Sequence, residues 1–327
     1  MKRLQFAWLA LSAMPALAQM PGVVLNVDID TVVKYGYDVS DWTKFGLSSG
    51  PTTRAATPPA FGNFVTFADI VAVNDKPAKG TVLFRELGLT ISPTPSSGQA
   101  IGDIRRSGVA DILWEFLQED GTLVGAMASH GMFGGDRQPG APQDSAGGFL
   151  FVTGGTGAFL GVRGQQSGIG LFPDSRFYRQ ASVSEDPANR RAYGAGGGKF
   201  RYVFHLIPLQ RPEVVSVFHA NFTPVSPTSP ARAGETLVLS ATGLGPTRPG
   251  VDPGQPFPSS PLQEVNSPLD VMLNGKSVTI LNKVGWPGTA GVYRVDFRVP
   301  DDAKSGAARL QLSAAWISGP EAQFPVR

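Results

Sequence analysis

Between residues 22 and 207 apolar and polar side chains alternate with a period of two, the spacing of strands and not of helices. The alternation predicts strands over 22–33, 63–74, 80–92, 109–118, 122–133, 148–153, 162–172 and 199–207. Asp120-Gly121 separates two of these runs as a hairpin turn, because glycine accepts the positive φ such turns need, and Lys79-Gly80 is expected to serve a similar turn. Stretches rich in Ser, Thr, Pro and Gly, at Ser48–Pro59, Ser92–Gly102, Gly134–Gly148 and Asp174–Gly198, read as loops. Eight strands joined by hairpin-like connections predict an eight-stranded antiparallel, calycin-like barrel.

Alternation resumes after Ile207-Pro208-Leu209-Gln210-Arg211-Pro212, whose two prolines suit a linker. Strands are expected at 213–219, 235–242, 269–274, 277–284, 290–299, 307–315 and 322–326, with Asn274-Gly275 as a two-residue hairpin turn. Seven short strands in this length fit an immunoglobulin-like β-sandwich. The chain has no Cys, so the sandwich lacks an inter-sheet disulfide, and Trp286 and Trp316 are expected to fill the inter-sheet space. The fold class is therefore all-β, a barrel over 19–208 followed by a sandwich over 209–327.

Residues 1–18 follow a different pattern. Lys2 and Arg3 precede an apolar run from Leu4 to Ala18 that closes on Ala16-Leu17-Ala18, the form of a cleaved export signal. The run is short for a membrane span, and no later segment is long and apolar enough for one. The expected location is periplasmic, cell-surface or extracellular.

Composition then narrows the chemistry. Gly 40 and Pro 28 make about a fifth of 327 residues, which suits strands and turns and argues against a helical bundle. The formal charge of +2 and pI near 8.9 suggest a polyanion partner. That surplus comes from Lys2 and Arg3; the remainder carries 26 basic and 26 acidic residues. The balance also holds within each region, so nucleic-acid binding is not expected. Without Cys there is no thiol nucleophile and no thiolate metal site, and the three His show no ligand spacing. Asp28 and Asp30 share one strand face, too few oxygens for Ca²⁺. No metal and no cofactor is expected.

The most distinctive string runs from Phe149 through Thr153, Gly154, Gly155, Thr156, Gly157, Phe159, Gly161 and Arg163 to Gly164. It is not a phosphate loop: no Lys lies within it, and Leu160 occupies the third glycine position of a dinucleotide pattern counted from Gly155. Its glycines are expected to let a strand turn sharply and re-enter the sheet, with Phe159 plugging the barrel and Thr156 satisfying turn backbone groups. The string resembles the Gly-Gly-Thr-Gly-x-Phe-x-Gly-x-x-Gly segment of dirigent proteins and allene oxide cyclase-like barrels. The resemblance implies an eight-stranded barrel with an apolar pocket, secretion and trimeric assembly. Residues 219–327 are similar to a module that ends many exported acidobacterial proteins. The strings that carry this likeness begin at His219, Thr236 and Gly291. It implies an extracytoplasmic accessory domain and no chemistry.

Alternation also places charged groups on apolar faces. Asp69 lies between Phe67 and Val71, Arg85 between Leu83 and Leu87, and Glu115 between Leu113 and Leu117, while His130 shares a face with Ala128 and Met132. If those faces line the lumen, Asp69, Arg85, Glu115 and His130 meet inside it, where they must pair and could move protons. The opposite faces are apolar too, and Trp114 could face the core while Glu115 faces solvent. Two readings follow. In the first, the barrel binds a small apolar or phenolic molecule and the sandwich makes surface contacts. In the alternative, a cofactor-free cyclase or coupling-guide enzyme uses a lumenal acid with Arg85 or His130.

Overall fold

The computed structural model describes residues 22–36, 61–90, 97–98, 106–133, 148–171, 179–182 and 199–327. Nine strands occupy the first region: β1 (Val23–Gly36), β2 (Phe61–Val73), β3 (Lys76–Thr90), β4 (Arg106–Leu117), β5 (Leu123–Phe133), β6 (Gly148–Gly157), β7 (Arg163–Leu171), β8 (Arg179–Ser182) and β9 (Phe200–Ile207). They pair in the order β2-β3-β4-β5-β6-β7-β9-β1, and β1 pairs again with β2. Eight antiparallel strands thus close into a barrel, which removes free edges. The short β8 runs parallel to the last residues of β1, within the stretch expected to be a loop.

One turn differs from expectation. The β2–β3 reversal sits at Asn74 and Asp75, with φ of 51° and 61°, and not at Lys79-Gly80. Asn and Asp tolerate the left-handed region, so this pair can make the two-residue turn without glycine. Gly80 lies inside β3, where a Cβ would come within 2.2 Å of the Glu115 carbonyl oxygen.

Rings that meet across the barrel settle which face is inside. Trp114 on β4 lies 4.9 Å from Phe204 and 5.0 Å from Tyr202, both on β9, which is not its neighbour in the sheet. Phe84 on β3 completes the cluster, 5.8 Å from Trp114 and from Tyr202. The inward residues are therefore Val82 and Phe84 on β3, Ala110, Ile112, Trp114 and Phe116 on β4, and Tyr202, Phe204 and Leu206 on β9. Edge-to-face ring pairs of this kind add roughly 0.5–1.5 kcal/mol each beyond area burial.

Strand directions put two kinds of connection at opposite mouths. The tight turns 74–75, 118–122 and 158–162 and the linker to the second region lie at one mouth, here the near mouth. Segments 37–60, 91–105, 134–147 and 172–199 leave from strand ends at the far mouth. The four expected loops fall in these segments and lie almost wholly outside the described residues, as does the expected export signal.

The second region contains β10 (Glu213–His219), β11 (Thr236–Thr242), β12 (Thr247–Arg248), β13 (Glu264–Val265), β14 (Leu269–Leu273), β15 (Lys276–Ser277), β16 (Ile280–Gly285), β17 (Val292–Arg298), β18 (Gly306–Ala314) and β19 (Ile317–Val326). They form sheets in the orders β10-β11-β17-β16-β13-β12 and β15-β14-β18-β19. Leu237, Leu239, Val295 and Phe297 from the first sheet share one core with Val271, Leu310, Leu312 and Phe324 from the second. Asn274-Gly275 makes the expected turn, with φ of 51° and 81°.

The two tryptophans expected between the sheets are elsewhere. Trp286 is half-buried, 5.9 Å from Phe222 and 6.3 Å from Phe218. Trp316 lies at the β18–β19 turn and reaches the barrel, 5.6 Å from Phe116. Ala315 and Ile317 beside it are buried in the barrel core. The turn residues Ala315 and Trp316 have φ of 46° and 62°, a conformation that costs non-glycine residues roughly 1–2 kcal/mol each. Burial of the hairpin tip offsets that cost. Polar contacts complete the seam. The Gln118 side-chain amide donates to the Asn266 carbonyl at 2.7 Å, and the Asn266 amide donates to the Leu123 carbonyl at 2.9 Å. Arg248 donates to Thr122 Oγ1 at 2.9 Å. The sandwich thus closes the near mouth of the barrel.

Candidate functional site

The candidates Asp69, Arg85, Glu115 and His130 all lie on the outer face of the barrel and do not meet in the lumen. Trp114 and Phe116 take the inside of β4, and period two then turns Glu115 outward. Arg85 and His130 converge on a residue from outside the candidate set. Asp111 accepts from Arg85 Nε at 3.1 Å and pairs with His130 Nδ1 at 2.6 Å. The three residues face one another on adjacent strands, in the register Arg85↔Asp111↔His130. The His130 hydrogen bond, then that from Arg85, holds the Asp111 carboxyl below its usual range. Asp69 and Glu115 are half-buried on the same outer face and are hydrogen-bonded by Thr31 and Thr81. Leu83, Leu87, Val109, Leu113 and Phe151 surround the Asp111 cluster and are exposed.

The glycine string makes the β6–β7 turn at the near mouth. Phe159 is buried and packs 4.8 Å from Phe116, as expected. Thr156 serves the turn through its carbonyl, which accepts from the Phe159 N–H at 3.1 Å. At Gly155 a Cβ would stand 2.5 Å from the Phe159 carbonyl oxygen and 2.8 Å from that of Ala126. Thr153 Oγ1 donates to the Ala128 carbonyl at 3.2 Å. The Arg163 guanidinium lies over Gly154 and donates to the Val162 carbonyl at 3.1 Å. The motif Thr153–Gly164 therefore builds a turn and a plug.

Inside the barrel, polar groups gather on the far-mouth side of Trp114. The indole N–H donates to Gln166 Oε1 at 3.1 Å. Gln166 and Ser129 are each only 3% exposed, and Gln166 Nε2 and Ser129 Oγ have no hydrogen-bond partner among the described residues. Glu86 is half-buried on the inward face of β3, with Thr66 Oγ1 3.4 Å from its carboxylate. Burial first, and the Glu86 charge second, push the Tyr202 phenol far above its usual range, so it stays protonated. Glu86 occupies the position that an odd-face reading of β3 turns outward.

Glycines line the next layer toward the far mouth. Gly62 pairs with Gly88, Gly88 with Gly108, Gly108 with Phe133, and Phe133 with Gly148. Gly88, Gly108 and Gly148 each lie two residues from an inward position: Glu86, Ala110 or Leu150. Only one of these five paired positions carries a side chain. Glycine inside a strand weakens it and commonly marks close approach of another group. A separate groove of about 220 Å³ follows the linker past Ile207, Leu209, Arg211 and Pro320 and belongs to the domain junction.

Two other polar sites explain themselves. Asp28 accepts from Arg201 Nε at 2.5 Å and from Nη2 at 2.7 Å, which clips β1 to β9, while Asp30 lies 3.9 Å from Lys199. Among the described residues no group of three or more His, Asp or Glu is placed to hold a metal, and no helix is long and apolar enough to cross a membrane. In the sandwich, His219 has Glu235 Oε1 2.6 Å from Nδ1 and Ser229 Oγ 3.1 Å from Nε2, the spacing of an acid–base–nucleophile set. The Ser229 carbonyl oxygen, however, also lies 3.1 Å from Nε2 and requires a donor there. Both ring nitrogens therefore donate, and the imidazolium pins the 224–230 loop.

That pin gives a pH prediction. The hydrogen bond to Glu235 raises the His219 pKa above its ordinary 6.5. A raised folded value stabilises fully below the unfolded value and is lost as pH rises through the folded one. Urea unfolding of wild type should therefore lose stability from about pH 6.5 upward relative to His219→Gln. Parallel pH profiles for the two proteins contradict the pin.

No family model matches the chain, and no curated protein matches it. Among solved structures, the N-terminal domain of the Streptococcus gordonii adhesin Sgo0707 aligns over 93% of this chain and 92% of that chain. Its identity is 10% and its TM-score 0.19, a similarity that bears on neither fold nor function.

Proposed function

We propose that the chain is an exported protein whose barrel holds a small apolar or phenolic molecule, entered from the far mouth and closed at the near mouth by the sandwich. The supporting observation is the glycine layer Gly62, Gly88, Gly108 and Gly148 above an aromatic floor of Phe84, Trp114 and Tyr202. A barrel built only for stability would fill that layer, since each large apolar side chain buried there contributes roughly 1.5–3 kcal/mol. Ligand pockets share this make-up of mostly apolar walls with a few convergent polar groups. Export is supported by the leader Met1–Ala18 alone. The cyclase or coupling-guide alternative loses its four candidate residues, which lie outside the lumen.

The test is equilibrium dialysis of the chain without residues 1–18 against 2-naphthol. One molecule should bind per chain. Gly108→Leu, which fills the glycine layer, should weaken binding tenfold or more, and Leu113→Ser on the outer face should leave it unchanged. Equal affinity in wild type and Gly108→Leu contradicts a lumenal site.

A further inference from the structure

We propose that the groove at the domain junction seats the mature N-terminus: once residues 1–18 are removed, Gln19, Met20 and Pro21 extend β1 along the linker and fill it. The inference rests on the leader reading and is independent of what the barrel holds.

Strand register points to this seat. β1 begins at Val23, which faces Leu206 in the antiparallel pair with β9. Continued outward, that register sets Gly22 beside Ile207, Pro21 beside Pro208, Met20 beside Leu209 and Gln19 beside Gln210. The groove is lined by Gly22, by the run from Leu206 to Arg211 and by Pro320 of β19. Its main wall is thus the stretch of chain along which a longer β1 would run. The linker closes at Pro212, after which β10 begins, and Arg211 falls opposite Ala18, the last residue of the leader. The wall therefore ends where the mature chain is expected to begin.

Size and chemistry fit the same occupant. Three extended residues span roughly 10 Å. The groove holds about 220 Å³, below the roughly 300–1,000 Å³ of small-molecule pockets. Ile207 and Leu209 are 62% and 68% exposed, and period two puts them on one side of the extended chain. Met20 is the large apolar residue among the three, and its unbranched thioether adapts to an irregular apolar wall. Pro21 and Pro208 have no N–H, so their pairing strands no donor. Seated there, the three residues touch β9, the linker and β19 and fasten the barrel to the sandwich.

The test starts from the chain expressed with its leader in a bacterial host and recovered after export. N-terminal sequencing should begin at Gln19; any other start overturns the leader reading and this inference with it. The chain has no Cys, so an introduced pair can close only on itself. Facing residues of an antiparallel pair have Cα atoms about 4.5–5.5 Å apart, within reach of a disulfide. Under copper–phenanthroline, Met20→Cys/Leu209→Cys should close at least about tenfold faster than Met20→Cys/Val215→Cys, read by mass after alkylation. Val215 is exposed on β10, beyond the groove. A chain beginning at Gly22 should melt about 3 °C or more below the one beginning at Gln19. Equal closure rates, or equal Tm, overturn the docked N-terminus and leave the leader reading standing.

Discussion

Replacing Trp114 by alanine will destabilise the protein by about 3–5 kcal/mol, the largest effect expected of any single truncation in the barrel. The indole is fully buried and touches Phe84, Tyr202 and Phe204 at once, so its removal leaves a cavity bounded by three rigid rings that cannot collapse into it. It also strips Gln166 Oε1 of its donor in a dry setting, which moves the cost toward the upper end of the range. Thermal unfolding followed by far-UV circular dichroism should show a fall in Tm of about 10 °C or more. A loss under about 1 kcal/mol would mean that the lumen is not packed around this side chain.

The second large effect is expected at the β6–β7 turn. Gly155→Ala places a methyl group between two carbonyl oxygens, of Phe159 and Ala126, neither of which belongs to a side chain that could rotate away. The turn must lift, and Phe159 must leave its contact with Phe116. The expected loss is about 2–3 kcal/mol. Gly121→Ala is the matched comparison. Its φ of +87° is unfavourable for alanine, unlike the backbone at Gly155, yet a Cβ there meets nothing within 4 Å. That variant should lose only about 1 kcal/mol. Equal losses at the two positions, measured by urea unfolding, would contradict close approach as the reason for glycine at 155.

The barrel was legible in the sequence because most of its strands alternate over eight or more residues, so the eight strands of the barrel fall within a few residues of those expected. The inward face was not legible, for a physical reason. Strand β3 carries Leu83 and Leu87 on one face and Val82 and Phe84 on the other, and β4 has Val109 and Leu113 opposite Ile112, Trp114 and Phe116. Alternation detects a buried face by its contrast with a polar one, and here the contrast is weak. The usable signal was bulk: Phe84, Trp114, Phe116, Tyr202 and Phe204 share even parity, and rings of that size need a lumen. Even parity also carries Glu86, Gln166 and the glycines at 62, 88, 108 and 148. The odd face drew attention through its isolated charges, yet exposed strands tolerate charge easily.

Two other features escaped for local reasons. The strand β8 has four residues, too few to show a period, and its neighbours are polar. The β18–β19 turn uses Ala315 and Trp316 where turn chemistry favours Asn-Gly, so the hairpin tip reads as continuous strand. Its departure from local preference marks the place where the sandwich enters the barrel. Such local conflicts are sustained by contacts from elsewhere in the chain.

Fluorine NMR of the chain without residues 1–18, grown with 5-fluorotryptophan, would test the lumenal site most directly. Four tryptophans remain, and Trp114→Phe assigns the resonance of interest. Addition of 2-naphthol should shift the Trp114 signal, leaving those of Trp286 and Trp316 in place. A Trp114 signal that stays fixed while naphthol binds, or a shift confined to Trp286 or Trp316, would contradict a ligand site in the barrel.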